Sequence, residues 1–318
     1  TQSFLKDVIT VDTTFYTYTY GNNPRVLAFN KDGSIIKDIS FANEFSKILC
    51  IEEHDRKLYI GGHTGENSSK KSKLVVVDLD GNLLSVYQYE LMYITSIYFN
   101  NSGIYLGGRL KKIGASSSSG LIKLNLNGTK QWVKEYQFYS NSQISKIGEI
   151  NGDIFTLNYA TTVGVGFTGF VLCKVNHQNG GIIKRTNIET GYFDGFELYD
   201  DTFNPIDIVM AVNSIFIICA GESYGTGSGV FEFNTQLELV NTVKLTTNYK
   251  ANHPMSISIS NSSLFICGYT EIENKKSGFI RKLKLNGEII WHKNTLQNIP
   301  HSLIIDDEYI YGVGSVNV

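Results

Sequence analysis

Short apolar segments alternate with polar turns along the whole chain. The recurring unit is an apolar strand with an aromatic residue near its start, a Gly/Ser-rich loop, a second strand, an Asn/Asp-Gly turn and a third strand. Clear copies of the first strand are residues 58–62, 104–108, 264–268 and 310–314. Short alternating runs bounded by Gly, Asn, Asp and Ser are typical of β-strands. The pattern therefore predicts a chain made of strands.

The aromatic residue sets the period of the repeat. It occurs at Tyr16, Tyr59, Tyr105, Phe155, Phe216, Phe265 and Tyr311. The successive spacings are 43, 46, 50, 61, 49 and 46 residues. Another apolar strand precedes each aromatic, so one unit holds four strands, which we call a, b, c and d, with the aromatic in strand b. A repeat of about 40–50 residues that contains only strands predicts a β-propeller, in which four-stranded antiparallel blades bury their faces against each other.

We expect one all-β propeller domain over residues 1–318, seven-bladed with an incomplete last blade. The blades are expected at about 5–42, 43–91, 92–139, 140–204, 205–249, 250–298 and 299–318. Strand c should open 13–15 residues after the aromatic, and after Tyr311 this position falls beyond Val318. The alternative is six full blades and a partial one that is left open.

Asn-Gly and Asp-Gly pairs join strands c and d. They occur at 32–33, 80–81, 127–128, 179–180 and 286–287. Such pairs suit type I′ turns, which need a positive φ at both central residues. We therefore predict two-residue type I′ hairpins between strands c and d. The polar clusters between strands a and b, such as residues 52–55, are predicted to be turns.

Charge and composition remove several functional classes. Lys and Arg total 28 against 30 Asp and Glu, whereas nucleic-acid readers are usually basic, so no nucleic-acid partner is expected. No run of about 18 apolar residues is present, so no membrane insertion is expected. The four cysteines lie singly in apolar strands, which predicts buried free thiols at Cys50, Cys173, Cys219 and Cys267.

The phrase Lys-Leu-x-Leu-Asn-Gly-x-x-x-Trp resembles the blades of pyrroloquinoline-quinone-like and SBBP-type bacterial propeller repeats. Trp132 and Trp291 occupy the position of the docking Trp in those blades, four residues after a Gly. Other copies carry Lys37, Ser85 and Arg185 there. The resemblance implies a mode of blade packing rather than a chemistry. It also implies a secreted or cell-surface protein.

No catalytic or metal motif stands out. The Gly-rich stretch 164–169 has the spacing G-x-G-x-x-G but leads into a strand, whereas a dinucleotide site needs a helix there. Residues 78–82 lack the later ligands of a calcium loop. No G-x-S-x-G or H-E-x-x-H sequence is present. We expect no catalytic residue, no cofactor and no metal ion.

The b–c loops are the long connections, predicted at 61–72, 107–119, 158–168, 220–228 and 268–277. Loops held by a rigid scaffold commonly carry binding residues. Candidate ligand-binding residues where strand b leads onto this face are His63, Arg109, Tyr159, Glu222 and Tyr269. His253 and His301 stand where the chain enters strand a in two consecutive blades, so the fold could bring them together near the mouth of the channel.

Residues 189–204 form an oversized d–a connection in the fourth unit. Its aromatics alternate with carboxylates, a mixture that suits a protein partner or the stacking of sugar rings. A flap that packs its own aromatics onto the blade is the alternative. The candidate partner-binding residues are Tyr192, Phe193, Phe196 and Tyr199.

These observations favour a non-catalytic binding or scaffolding propeller that engages a protein or a glycan on the face of the long b–c loops. The alternative is a carbohydrate-active hydrolase or lyase with its site at the channel mouth. A quinone-dependent dehydrogenase ranks third, because only the docking-Trp phrase supports it.

Overall fold

The computed structural model describes residues 4–65, 70–111, 116–138, 141–161, 168–188, 203–211, 213–221, 228–245, 251–272, 275–306 and 309–316. Within these ranges every helix or strand element is a β-strand, as the alternating pattern predicted. None of these residues belongs to a helix long and apolar enough to cross a membrane. The chain divides into two compact units, Thr1–Ile147 and Gly148–Val318.

The strands follow one another in seven sets, which we call repeats 1 to 7. Repeats 1 to 3 hold β1 (Phe4–Val11), β2 (Thr14–Tyr20), β3 (Arg25–Phe29), β4 (Ile35–Ser40), β5 (Lys47–His54), β6 (Lys57–Thr64), β7 (Lys71–Asp78), β8 (Leu83–Tyr87), β9 (Leu91–Asn100), β10 (Gly103–Lys111), β11 (Ser117–Leu124) and β12 (Lys130–Tyr136). Repeats 4 to 7 hold β13 (Asn141–Ile150), β14 (Asp153–Thr161), β15 (Thr168–Val175), β16 (Ile182–Ile188), β17 (Phe203–Met210), β18 (Ser214–Gly221), β19 (Gly229–Asn234), β20 (Leu239–Lys244), β21 (Ala251–Ser260), β22 (Ser263–Ile272), β23 (Lys275–Lys284), β24 (Ile289–Leu296), β25 (Asn298–Ile305) and β26 (Ile310–Val316).

Hydrogen bonding joins the strands in chain order within each repeat. Over the described residues, β1–β4, β5–β8, β17–β20 and β21–β24 form four separate four-stranded sheets. Strands β9–β16 form one eight-stranded sheet, in which Ser117 of β11 pairs in parallel with Asn141 of β13. Strands β25 and β26 form a two-stranded sheet. The antiparallel four-stranded unit predicted from the sequence is therefore present.

The repeat aromatic lies in the second strand of every set, as predicted. Tyr16, Tyr59, Tyr105, Phe155, Phe216 and Phe265 are all buried. In repeats 3 and 6, a Trp of strand d contacts the aromatic of the same repeat. Trp132 meets the ring of Tyr105 edge-on at 6.1 Å, and Trp291 meets Phe265 in the same way at 6.2 Å.

The predicted b–c loops are too long. Strand β6 continues to Thr64 and strand β10 to Lys111, so the Gly-Gly pairs of these repeats lie inside strands. Glycine is required at these positions because strand a approaches them closely, and not because the chain forms a loop there. A Cβ on Gly62 would lie 2.1 Å from the carbonyl oxygen of Lys47, and one on Gly108 would lie 2.0 Å from that of Tyr93. A β-bulge in strand a produces this approach, because Ile48 and Cys50 pair with consecutive residues of β6.

The type I′ prediction is wrong for the c–d turns. Gly33, Gly81, Gly128, Gly180 and Gly287 have positive φ, but the Asp or Asn before each does not. At Gly33, Gly81, Gly128 and Gly287, a single left-handed glycine closes a three-residue hairpin loop, which accepts Asn-Gly equally well. The turn with Gly180 has a four-residue loop, because Asn176 bonds to Gly181. Turns with positive φ at both central residues instead join strands a and b, at 55–56, 151–152 and 261–262.

The apolar core is divided among interfaces between consecutive repeats. Residues of repeats 1 and 2 share one cluster, and residues of repeats 2 and 3 share another. Three further clusters join repeats 4 and 5, 5 and 6, and 6 and 7. The four cysteines are buried and free, as expected. No single blade can bury both of its faces, so each depends on its neighbours.

Substituting Gly108→Ala tests the requirement for close strand approach. The new methyl group would strike the Tyr93 carbonyl oxygen, which belongs to backbone and cannot move aside cheaply. We expect the free energy of unfolding to fall by about 1–3 kcal/mol, measured by denaturant titration.

Gly312→Ala is the matched control, because the nearest atom to its added Cβ lies at 3.5 Å. Equal losses for the two variants would contradict the explanation.

Candidate functional site

A polar cleft of about 450 Å³ opens where strand β6 ends in the first compact unit. The β2–β3 turn, the β4–β5 connection and the residues around the end of β6 form its walls. The lining residues are Asn22, Pro24, Ala42, Phe45, Ser46, Lys47, His63, Gly65 and Lys70.

His63, one of the predicted binding residues, is the most buried polar group of this cleft. Only 5% of its surface is exposed. Its Nδ1 is buried and has no hydrogen-bond partner in the described part of the chain. Burial, assisted by the charge of Lys70, lowers the pKa of the imidazole below its ordinary value of 6.5. The ring is therefore neutral at pH 7, and a neutral imidazole has one hydrogen-bond donor and one acceptor.

The described lining of the cleft is positively charged. Lys47 and Lys70 belong to it, and no Asp or Glu is among the lining residues that the structure describes. The nearby carboxylate of Glu44 is held by Lys73, whose ammonium lies 2.5 Å away. Lys47 also lies over the ring of Tyr20, at 4.6 Å from the centroid. Two ammonium groups beside neutral polar side chains would attract an anionic group.

Arg109, a second predicted residue, belongs to a hydrogen-bonded network next to His63. Its Nη1 donates to the Tyr93 hydroxyl at 3.3 Å, and its Nη2 donates to Oδ1 of Asn141 at 2.9 Å. The Tyr93 hydroxyl in turn donates to Gln143 at 2.7 Å. The rings of His63 and Tyr93 are 6.1 Å apart. Tyr93 is therefore a neighbour of both His63 and Arg109.

Sequence reasoning missed Tyr93, Asn141 and Gln143. They lie at the starts of strands a in repeats 3 and 4, away from the predicted b–c loops. At the entry to strand a, the sequence predicts binding residues only in the last two repeats, at His253 and His301. Tyr93 and Gln143 precede the aromatics of their repeats by 12 residues, as His253 does, so the same position in earlier repeats would have found them.

The predicted residues of the second unit make separate local contacts. His253 and Tyr269 are paired across β21 and β22, and their rings stack with centroids 4.6 Å apart. The ammonium of Lys276 lies over the ring of Tyr269, 4.7 Å from its centroid. His301 shares a hydrogen bond of 3.1 Å with the hydroxyl of Ser315.

The remaining predicted residues are Tyr159 and five that lie outside the described part of the chain. Tyr159 is half-buried in β14 and pairs with Phe170. No group of three metal-ligating side chains occurs among the residues that the structure describes. Glu222, Tyr192, Phe193, Phe196 and Tyr199 lie outside the described residues.

Glu52, a candidate acid–base residue that was not predicted from the sequence, lies on strand a of repeat 2. Glu52 was predicted to be in a polar turn, but strand β5 extends to His54 and includes it. Burial raises the pKa of Glu52 to about 7, and the charge of Asp7 adds to this while Lys146 opposes it. Lys146 forms an ion pair with Asp7, its Nζ lying 3.5 Å from Oδ2. A carboxyl group that titrates near neutral pH has the property required of a general acid or base.

No protein-family model and no curated protein matches the chain. Its fold is similar to that of several solved structures. The β-propeller domain of the Trilobed protease from Pyrococcus furiosus, described as having an open velcro topology, matches with a TM-score of 0.57 and 12% identity over 99% of this chain and 90% of that chain. A putative 6-phosphogluconolactonase from Bacteroides uniformis matches with a TM-score of 0.58 and 12% identity over 93% of this chain and 86% of that one.

A quinohemoprotein alcohol dehydrogenase from Comamonas testosteroni matches with a TM-score of 0.53 and 10% identity over 96% of this chain and 63% of that one. These three proteins differ in their named activities, and identities of 10–12% show a common fold alone. The chain therefore has an all-β propeller fold.

The titration of Glu52 predicts how stability depends on pH. A carboxyl group whose pKa is higher in the folded than in the unfolded chain favours folding when it is protonated. Its contribution is complete below about pH 4.5 and is lost as the pH rises through about 7. We expect Glu52→Gln to raise the free energy of unfolding at pH 8 by on the order of 1–3 kcal/mol, and to have no effect at pH 4. Denaturant titrations at the two pH values measure this difference.

Glu53→Gln is the control, because Glu53 is the adjacent carboxylate of the same strand. A stabilisation by Glu52→Gln that is the same at both pH values would contradict the assignment.

Proposed function

We propose that this propeller is a non-catalytic binding module that takes an acidic glycan in the cleft of His63, Lys47 and Lys70. The observation that carries the proposal is the composition of this cleft, whose described lining combines two ammonium groups with a buried neutral imidazole and includes no Asp or Glu. It lies at the end of strand b, on the face where the long b–c loops were predicted to bind a protein or a glycan.

The chemistry favours a sugar acid over a simple anion. The ammonium groups of Lys47 and Lys70 would pair with a carboxylate or sulfate group. Asn22, Ser46 and the imidazole of His63 line the cleft beside them as neutral polar groups, which suit sugar hydroxyls. A volume of about 450 Å³ accommodates a small part of an oligosaccharide chain. An acidic peptide is the other occupant that the test must distinguish.

The same proposal includes the number of blades, the type of blade and the cellular location. We infer seven blades, since each of the seven repeats contributes one strand b with its aromatic residue, and the seventh contributes strands a and b. The Trp132 and Trp291 contacts support a likeness to pyrroloquinoline-quinone-like and SBBP-type blades. A glycan ligand fits a secreted or cell-surface location.

A carbohydrate-active hydrolase or lyase is the second candidate, and Glu52 is the observation that favours it. Its pKa of about 7 and the Asp7–Lys146 pair beside it could support proton transfer. This candidate predicts cleavage of an acidic oligosaccharide with a pH profile that is lost in Glu52→Gln. The binding proposal predicts that the same oligosaccharide is retained intact.

Charge-neutralising variants of the cleft test the binding proposal. The probes are uronate-containing and sulfated oligosaccharides, with neutral oligosaccharides of the same length and an Asp/Glu-rich peptide beside them. We expect binding to the acidic sugars only. Lys47→Gln and Lys70→Gln should each weaken it about tenfold, as measured by calorimetry, because each removes one ion pair. His63→Ala should weaken it by a similar factor.

Lys134→Gln is the matched control, because Lys134 is an exposed lysine of the same unit and lies outside the cleft. Unchanged affinity in all three cleft variants, or binding to the acidic peptide alone, would overturn the proposal.

A further inference from the structure

Strands b, c and d pair so that one residue of strand c and one of strand d lie in line with the repeat aromatic. In repeat 3, Tyr105 pairs with Lys123, and Lys123 pairs with Trp132. Repeat 6 has the same arrangement and also ends on a tryptophan, Trp291. Residues directly opposite each other in a sheet share one face, so the residue of strand d lies on the same face as the aromatic. We call this residue the outer residue of its repeat.

In three other repeats, the outer residue reaches the c–d turn of the following repeat. The outer residues of repeats 1, 5 and 4 are Lys37, Asn241 and, in place of the Arg185 that the sequence spacing indicates, Lys184. The ammonium of Lys37 lies 2.6 Å from the carboxylate of Asp80. In repeat 4, Lys184 lies 3.9 Å from Glu238, and in repeat 5 the side-chain amide donates to the carbonyl oxygen of Asn286 at 3.3 Å. A long outer residue therefore bridges two consecutive repeats.

Repeat 2 has a serine at this position. Tyr59 pairs with Val76, and Val76 pairs with Ser85. Among the repeats whose strand d the structure describes, Ser85 is the smallest outer residue. A pocket of about 180 Å³ lies beside it and is lined by all three residues of this row. The pocket therefore occupies the space that a longer side chain takes in the other repeats.

The pocket is preformed, with an apolar floor and an aromatic wall. Leu74 and Ile104 line it, and each has 1% of its surface exposed. Tyr87 also lines it, and its ring is stacked on that of Tyr89 with centroids 6.2 Å apart. The hydroxyl of Tyr89 donates to the carbonyl oxygen of Gly128 at 3.2 Å, which fixes the c–d turn of repeat 3 along one side of the pocket. A ring that enters the pocket meets surfaces that are already in place.

The tryptophans of repeats 3 and 6 show which group suits such a position. Trp132 meets Tyr105 edge-on at 6.1 Å, and Trp291 meets the aromatic of its own repeat in the same way. The buried Nε1 of Trp132 has no hydrogen-bond partner in the described part of the chain, so ring packing holds this indole. An indole ring therefore occupies this position without a hydrogen bond to those residues.

The size and the rim of the pocket favour a side chain over a free ligand. An apolar cavity of about 150 Å³ holds one benzene ring, whereas sites for small molecules commonly measure about 300–1,000 Å³. The pocket, at about 180 Å³, therefore suits a single aromatic group. Leu84 and Leu126 line its rim, and each has 48% of its surface exposed. The chain on either side of an inserted aromatic residue would cover these leucines, as in protein interfaces where an aromatic anchor fills a pocket.

We propose that the pocket beside Tyr59 is a docking site for a tryptophan side chain of a partner protein. The indole stands edge-on to Tyr59 in the space left by the short outer residue, and the flanking residues of the partner cover Leu84 and Leu126. The pocket lies at the Lys57 end of β6, whereas the glycan-binding cleft lies at the His63 end. The two proposals are therefore independent.

N-acetyltryptophanamide, a tryptophan side chain on a minimal backbone, is the probe. We expect it to bind the full chain with a Kd of about 1 mM, measured by nuclear magnetic resonance titration, because a single ring buries little area. N-acetylleucinamide should bind at least tenfold more weakly, because it lacks the aromatic ring. Ser85→Trp supplies the ring from within the chain and should abolish binding of the probe. Ser85→Ala is the matched control, since it leaves the pocket open and should not change the affinity.

Trp132→Ser tests the role of the outer residue. It should open a second pocket beside Tyr105 and raise the number of probe sites from one to two, with thermal unfolding used to show that the variant is folded. A folded Trp132→Ser chain with a single site would contradict this role. The proposal is overturned if the unchanged chain does not bind the probe, or if Ser85→Trp binds it with unchanged affinity. It is also overturned if free indole binds and N-acetyltryptophanamide does not, which would assign the pocket to a small aromatic molecule.

Discussion

The structure depends on covering strand b on both edges and both faces. Strand b carries the repeat aromatic and the residues at its end that reach the cleft, and in repeats 1 to 6 strands a and c hydrogen-bond to its two edges. Strand a can approach closely enough only because glycines such as Gly62 and Gly108 have no side chain. The core clusters between consecutive repeats then cover its faces.

The same close approach creates the candidate binding site. Gly62 brings the backbone of Lys47 against the end of β6, and the next residue, His63, is buried as a consequence. Burial keeps the imidazole neutral, so the positive charge of the cleft comes from Lys47 and Lys70. In strand a of repeat 2, burial instead raises the pKa of a carboxyl group, that of Glu52, and keeps it partly protonated near neutral pH. Both effects arise from desolvation by packed strands.

Much of the fold could be predicted from the chain, but less of the site. His63 and Arg109 were found because strand b repeats in register, which places the ends of successive copies on one face. Tyr93 and Lys47 were missed because their role comes from strands that are distant in sequence and are brought near by the bulges in strand a. Glu52 was assigned to a turn because Glu52 and Glu53 read as a polar cluster, whereas only the pairing of β5 with β6 shows that the strand continues.

The sequence by itself determined the all-β class, the four-stranded unit and the position of its aromatic, because alternation and spacing are local properties that survive without tertiary contacts. The tertiary structure decided where strands end, which glycines serve turns and which serve close approach, and which polar groups are desolvated. Those features depend on the distance between strands, and no local pattern records it. The c–d turns show the difference. The Asn-Gly and Asp-Gly pairs marked where these hairpins lie. Only the folded backbone shows how many residues of each turn have positive φ, and this number separates the two hairpin types.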